Sequence, residues 1–192
     1  MWVLILGLVL FLGIHTLPAL PRKRHKLFRR LGENQYKMVF TAISLIGLVL
    51  IIWGYASVSD EDPILFDMPH GLNHLTMLLV LIAFILFASS FFKGYIKYGV
   101  RHPQITAVKV WALAHLLVKG GDVAALILFG SFLAWAVFDR ISLKKREQIG
   151  LVKTRNFSPN WLHDVAAVVI GVLVYLGFMF YLHKFLIGVP II

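Results

Sequence analysis

The sequence is dominated by apolar runs about as long as a lipid bilayer is thick. A transmembrane helix needs roughly 17–25 predominantly apolar residues. Of the 192 residues, 59% are hydrophobic and 15% are charged, whereas a soluble domain has about 45–50% apolar and about 25% charged residues. Because the backbone in lipid must satisfy its own hydrogen bonds, apolar runs of this length favour membrane-spanning helices.

Six apolar runs predict an all-α integral membrane protein, a six-span helical bundle. The runs lie at about 2–20, 38–56, 72–92, 104–119, 122–138 and 163–187. Only Lys119-Gly-Gly-Asp122 separates the fourth run from the fifth, so these two are predicted to form a tight helical hairpin. Because no internal repeat or low-complexity segment divides the chain, residues 1–192 are expected to be a single transmembrane domain.

Charged residues predict the orientation of the spans. Three connectors, 21–37, 93–109 and 139–162, contain 17 of the 19 Lys and Arg residues. The connector with Asp60-Glu-Asp62 and Asp67 has neither Lys nor Arg. Short basic loops stay in the cytoplasm, so both termini are predicted to lie outside it. The net charge of +10 is then explained by basic loops that face an anionic lipid surface, without a nucleic-acid partner.

Two histidines lie inside the apolar runs, where ionisable residues are rare and are functional candidates by default. His15 is seven residues before the first basic residue, roughly 10 Å from the cytoplasmic edge. His115 is 14 residues beyond Arg101, roughly 15–20 Å from the same edge. A single buried histidine would favour a simple interhelical hydrogen bond. Two at comparable depth on different spans favour a shared ligand.

Haem suits such a pair better than zinc does. Zinc usually has three or four protein ligands, and no Asp or Glu lies at this depth. Haem iron needs two axial ligands, and the absence of cysteine excludes iron–sulfur clusters and thiolate ligation. The sequence therefore predicts haem b in an apolar cleft, with His15 and His115 as the metal ligands. Arg22, Lys23 and Arg101, at the cytoplasmic edge, are predicted to bind its propionates.

Other polar residues leave alternatives open. His70 and His74 share a helical face through their i, i+4 spacing, which fits either an outward metal site or a polar helix entrance. His102 lies about 140° around the helix from His115 and is assigned to the membrane edge. Glu33 fits the N-terminal end of the second span, where the helix dipole favours an anion, or a proton-transfer role. The remaining histidines are expected in solvent or at the membrane interface: His25, His163 and His183.

Several motifs resemble the NnrU family, and together they cover nearly the whole chain. They include Gly13-Ile-His15, Leu31-Gly-Glu33-Asn-Gln-Tyr36, Arg101-His-Pro103, Trp111-Ala-Leu-Ala-His115 and Trp135-Ala-Val-Phe-Asp139. The resemblance implies a multi-pass protein of the bacterial inner membrane that is associated with denitrification and nitric oxide metabolism. It also places Trp111 among the cofactor-binding residues, one helical turn before His115.

The NnrU family is similar to plastid 15-cis-zeta-carotene isomerase, an integral membrane protein with b-type haem. The two haem-ligating histidines of that relative match His15 and His115, the pair that the depth argument selects. The relative has a cysteine three residues before the second histidine, where this chain has Ala112. A ligand switch based on that cysteine therefore has no counterpart here.

Three classes of function follow from the sequence. A haem protein would be a redox protein, a redox-gated isomerase of a hydrophobic small molecule, or a partner that handles nitric oxide. Arg101-His-Pro103 is also reminiscent of membrane methyltransferases that act on isoprenylcysteine or thiols, although the glycine and the late glutamate of their pattern are missing. A non-enzymatic assembly or transport factor would need broken helices or paired charges at the midplane, and the sequence shows neither.

Overall fold

The protein is built from α-helices. The computed structural model describes residues 1–58, 62–69, 71–152 and 157–188. Its helices are α1 (Trp2–Thr16), α2 (Pro21–Ala56), α3 (Asn73–Ser89), α4 (Tyr95–Val100), α5 (Pro103–Lys119), α6 (Val123–Gln148), α7 (Trp161–Gly177) and α8 (His183–Ile187). A 3₁₀ turn, Leu17–Ala19, joins α1 to α2, and a π-helical turn, Phe178–Leu182, joins α7 to α8. No strand occurs in the described ranges, which confirms the all-α prediction.

Several helices have the length and composition of membrane spans. Among the described residues, four segments are long and apolar enough to cross a membrane: Trp2–Ala19, Pro21–Ala56, Val123–Gln148 and Trp161–Ile187. Helix α3 is apolar but has 17 residues, and α5 has the same length. The apolar helices are those of a membrane protein, whereas the count of six spans remains a prediction.

The first basic connector is helical rather than a loop. Helix α2 begins at Pro21, whose fixed φ suits the first turn of a helix, and continues through the basic residues into the apolar run. Its path breaks at Gly32, where φ is +75°, a conformation that glycine adopts without steric strain. Leu27 and Phe28 are half-buried, while Arg22 and its basic neighbours are exposed. The segment is therefore an amphipathic helix. The sequence indicated a loop because most of its residues are basic or polar and only a few are apolar.

The N-terminal unit, Met1–Asp62, is a close pair of helices. Helix α1 packs against α2 at glycines, where the two backbones almost touch. A Cβ atom on Gly7 would lie 2.7 Å from the backbone nitrogen of Ile51, and one on Gly47 would lie 2.8 Å from that of Phe11. Because lipid gives helices little hydrophobic reason to associate, small residues that permit such close approach are the usual basis of their packing.

The C-terminal unit, Pro63–Ile192, is centred on α3 and α5. Helix α3 packs against α5 and α7, and α5 packs against α6. Small side chains again fill the contacts: Ala112 and Ala114 of α5 and Ala136 of α6 are completely buried. The hydroxyl of Thr76 on α3 donates a hydrogen bond to the carbonyl of Ala114, at 3.1 Å. This polar contact joins α3 to α5 one residue before His115.

The predicted hairpin between the fourth and fifth apolar runs is confirmed. Helices α5 and α6 are joined by Gly120-Gly-Asp122 alone. The segment before α3 is hydrogen-bonded to this turn. The N–H of Leu65 donates to the carbonyl of Gly121, at 2.8 Å. A second bond runs from the N–H of Val123 to the carbonyl of Pro63, at 3.1 Å.

The contact between α1 and α2 can be tested at Gly7. We expect Gly7→Leu to lower the free energy of unfolding by about 1–3 kcal/mol, because a side chain forced into a packed contact displaces backbone. Chemical denaturation in detergent micelles measures this. Gly13→Leu is the control, since Gly13 is on the same helix and a Cβ there meets open space. Equal destabilisation by both substitutions would contradict the proposed contact.

Candidate functional site

His15 lies on α1 with its ring held by its own helix. Its Nδ1 is 2.7 Å from the carbonyl oxygen of Phe11, one turn earlier. Because a carbonyl oxygen only accepts hydrogen bonds, Nδ1 carries the proton and a neutral ring has its lone pair on Nε2. The phenyl ring of Phe11 stacks on the imidazole, with ring centres 4.2 Å apart. Phe40 of α2 meets it edge-on at 5.2 Å.

His115 lies on α5 in a similar setting. Its Nδ1 is 2.9 Å from the carbonyl oxygen of Trp111, again one turn earlier, so its lone pair is also on Nε2 when the ring is neutral. Phe129 of α6 stacks on the imidazole, with ring centres 4.5 Å apart and an interplanar angle of 21°. The indole of Trp111 lies 5.2 Å from the imidazole and 5.0 Å from Phe129.

The two settings share two features. Each imidazole donates from Nδ1 to the carbonyl of an aromatic residue four positions earlier, and each has a phenyl ring stacked on it. Sequence reasoning selected Trp111 but missed Phe11, although the same i, i+4 spacing marks both. It also missed Phe40 and Phe129, which come from neighbouring helices and carry no signal in the local sequence.

The two predicted ligands belong to different units. His15 lies in Met1–Asp62 and His115 in Pro63–Ile192, and each is described within its own unit. Their assignment as a pair of ligands to one iron therefore remains a prediction. His183, which the sequence assigned to the membrane interface, is the first residue of α8 and is half-buried.

The cations predicted to bind propionates are exposed. Arg22 and Lys23 lie in the first turn of α2, on the amphipathic segment before Gly32. Arg101 lies between α4 and α5 with φ at +61°, in the left-handed region that non-glycine residues seldom adopt. Their predicted role in cofactor binding also remains a prediction.

His102 and Glu147 connect the two ends of the α5–α6 hairpin. The Nε2 atom of His102, which precedes α5, lies 2.7 Å from Oε1 of Glu147, near the end of α6. Both side chains are largely buried. This contact gives His102 a structural partner, whereas its assignment to the membrane edge remains a prediction.

The other polar candidates have ordinary surroundings. Glu33 forms an exposed ion pair with Lys37, one turn later on α2. His74 is exposed, and His70 lies outside the described residues, so the proposed metal site at that pair stays untested. Among the residues that the structure describes, no three or more His, Asp or Glu side chains are grouped to hold a metal ion. His25 is exposed, and His163 is half-buried near Phe92.

Comparison with known proteins identifies the family. The sequence matches the family described as NnrU protein over residues 3–191, which is nearly the whole chain. No curated protein and no solved structure matches it. The motifs around His15 and His115 both fall inside the matched range. The chain belongs to the NnrU protein family.

Proposed function

We propose that the protein is an integral membrane haem protein in which His15 and His115 ligate the iron of a b-type haem. The observation that carries the proposal is the shared arrangement of the two imidazoles. Histidines that bind metals usually donate their second ring N–H to a carbonyl or carboxylate, which fixes the tautomer and orients the ring. Both histidines make this bond from Nδ1 to the backbone, so Nε2 is the nitrogen suited to bind iron.

The surroundings of each ring also suit a porphyrin. Phe11, Phe40 and Phe129 give the imidazoles apolar, aromatic neighbours, as a large flat macrocycle requires. Bound haem supplies one-electron redox chemistry at iron. The residues of the chain bind it, orient it and keep water from it.

Ligation by two imidazoles selects among the reaction classes. A haem held by both imidazoles would supply electron transfer with no change at His15 or His115. Binding of nitric oxide, or isomerisation of a hydrophobic substrate, would instead require one of these two histidines to release the haem. We therefore propose a redox role linked to nitric oxide metabolism, the association that the NnrU resemblance implies. Absorption spectra of the oxidised and reduced protein with and without nitric oxide distinguish these cases.

The ligand assignment predicts which histidine variants lose haem. His15→Ala and His115→Ala are expected to lose most of the Soret absorbance per mole of protein after expression with excess haem. The exposed histidines provide matched controls, since His25→Ala and His74→Ala remove imidazoles from the same two units. Wild-type Soret absorbance in both ligand variants would rule out the assignment, and its absence from the wild type would rule out the haem.

We also propose that the protein crosses the bacterial inner membrane six times, with both termini outside the cytoplasm. The positions of the basic residues support this arrangement. Helices α3 and α5 decide the count, because at 17 residues each is about 26 Å long, slightly shorter than the hydrocarbon core. If neither α3 nor α5 crosses the membrane, the protein has four spans, and the segment between α3 and α5 lies outside the cytoplasm.

Single cysteines distinguish six spans from four, since the natural chain has no cysteine. Gly99 lies on α4, between α3 and α5, and a Cβ atom added there meets open space, so Gly99→Cys is expected to be tolerated. We expect an impermeant maleimide to label Gly99→Cys only after spheroplasts are broken. Asp67→Cys and Lys145→Cys are the outer and inner controls, because both topologies agree on them. Labelling of Gly99→Cys in intact spheroplasts would exclude six spans.

A further inference from the structure

Arg140 on α6 is half-buried, and one N–H group of its guanidinium is buried without an acceptor among the described residues. Its NH1 atom is inaccessible to solvent and has no hydrogen-bond partner in the part of the chain that the structure describes. A buried guanidinium is unfavourable unless an acceptor compensates both its charge and its N–H groups. The buried NH1 atom therefore favours an acceptor that the described residues do not supply.

The carboxylates of α6 are already engaged with other cations. The helix contains two acidic residues, Asp139 and Glu147. Asp139 bonds Arg146 at 3.2 Å, and both side chains are about 85% buried, with exposed fractions of 15% and 14%. Glu147 bonds His102 at 2.7 Å. The acidic groups nearest to Arg140 along the helix thus neutralise charges other than its own.

Arg140 lies on the side of α6 that faces α5. Phe129, which stacks on His115, precedes Arg140 by 11 residues, a rotation within about 20° of the same face. Ala136, one turn before Arg140 on that face, is completely buried. Arg140 therefore lies on the face of α6 that packs against α5, on the cytoplasmic side of the imidazole in the proposed topology.

A second cation lies at the same level on α5. Lys109 follows His102 by seven residues, and Arg140 precedes Glu147 by seven, so each is two helical turns, about 10 Å, from the His102–Glu147 contact. Because α5 and α6 are antiparallel, Lys109 and Arg140 lie at the same height along the hairpin. Lys109 is half-buried, and α5 contains no Asp or Glu. Two positive charges without an acidic residue between them favour an anionic ligand.

We infer that Arg140, with Lys109 at the same level, binds the oxyanion of a membrane amphiphile. Guanidinium binds carboxylates and phosphates through paired N–H donors, and it does so most strongly away from water. Two sources fit this chemistry. One is the phosphate of an anionic phospholipid, and the other is a propionate of the proposed haem. The second source depends on the proposed function, whereas the first is independent of it.

The lipid arm of the test compares phosphatidylglycerol with phosphatidylcholine. The full-length protein in detergent micelles is titrated with each lipid, and thermal unfolding is followed. If the anion is a phosphate, phosphatidylglycerol stabilises the wild type. Arg140→Gln then weakens phosphatidylglycerol binding roughly ten- to hundredfold, because a hydrogen bond to a charged group is lost. Lys144→Gln removes the same charge from an exposed side chain one turn later, and should bind like the wild type.

The haem arm compares haemin with its dimethyl ester, which lacks propionate carboxylates. If the anion is a propionate, the wild type binds haemin more tightly than the ester, and Arg140→Gln removes the preference while leaving ester binding unchanged. Lys144→Gln should keep the preference. Absence of haem binding altogether would refute the proposed function and leave the lipid arm to decide this inference.

Arg140→Met separates a ligand site from a purely structural arginine. In detergent without lipid or haem, this variant should unfold no more easily than the wild type, because it removes a buried unpaired charge. If Arg140→Gln responds to both ligands as the wild type does, the inference is overturned, and destabilisation of Arg140→Met would then assign Arg140 a purely structural role.

Discussion

Close approach of helix backbones at small residues is the interaction on which the rest of the structure depends. Between helices in lipid, association rests on dispersion and hydrogen bonds, both of which need short distances. Gly47 shows the consequence for the candidate site, because a Cβ there would collide with the backbone of Phe11, whose ring stacks on His15. The glycine contact thus sets where that ring lies. On α5, buried Ala112 and Ala114 bring α3 close to the helix that holds His115.

The orientation of the two imidazoles has a local cause and a tertiary one. The bond from Nδ1 to the carbonyl four residues earlier is made within one helix, so it survives changes in how the helices pack. The stacked rings also differ in origin, since Phe11 comes from the same helix as His15 and Phe129 comes from a neighbouring helix. Helical geometry therefore sets which nitrogen is presented, and packing sets the ring's apolar surroundings.

The carboxylates on the helices of the C-terminal unit have partners among the described residues. Besides His102 with Glu147, the carboxylate of Asp164 on α7 accepts hydrogen bonds from the N–H groups of Tyr95 and Ile96, at 2.7 and 2.9 Å. That carboxylate satisfies amides at the start of α4, where a helix lacks internal partners. Unlike these carboxylates, the buried NH1 of Arg140 has no partner among the described residues, and the inferred anion site rests on this difference.

The sequence alone determined the helical class, the membrane environment, the α5–α6 hairpin and the two histidines of interest. These follow from composition, run length and spacing, which local helix geometry and the bilayer translate directly into structure. The Nδ1 bonds also follow from helix geometry, because the acceptor is the backbone carbonyl four positions before each histidine. The helical form of the basic segment after Pro21 was missed, because its apolar side is narrow and its composition is polar.

Only the tertiary structure decided which side chains from other helices meet these residues. Phe40 beside His15, Phe129 beside His115 and Glu147 beside His102 are separated from their partners by 14 to 45 residues, and no local pattern encodes such contacts. The same holds for Arg140, which the sequence counted only as one basic residue of a cytoplasmic connector. Burial and the choice of partner depend on how helices pack, and helix packing depends on close approach at glycine and alanine.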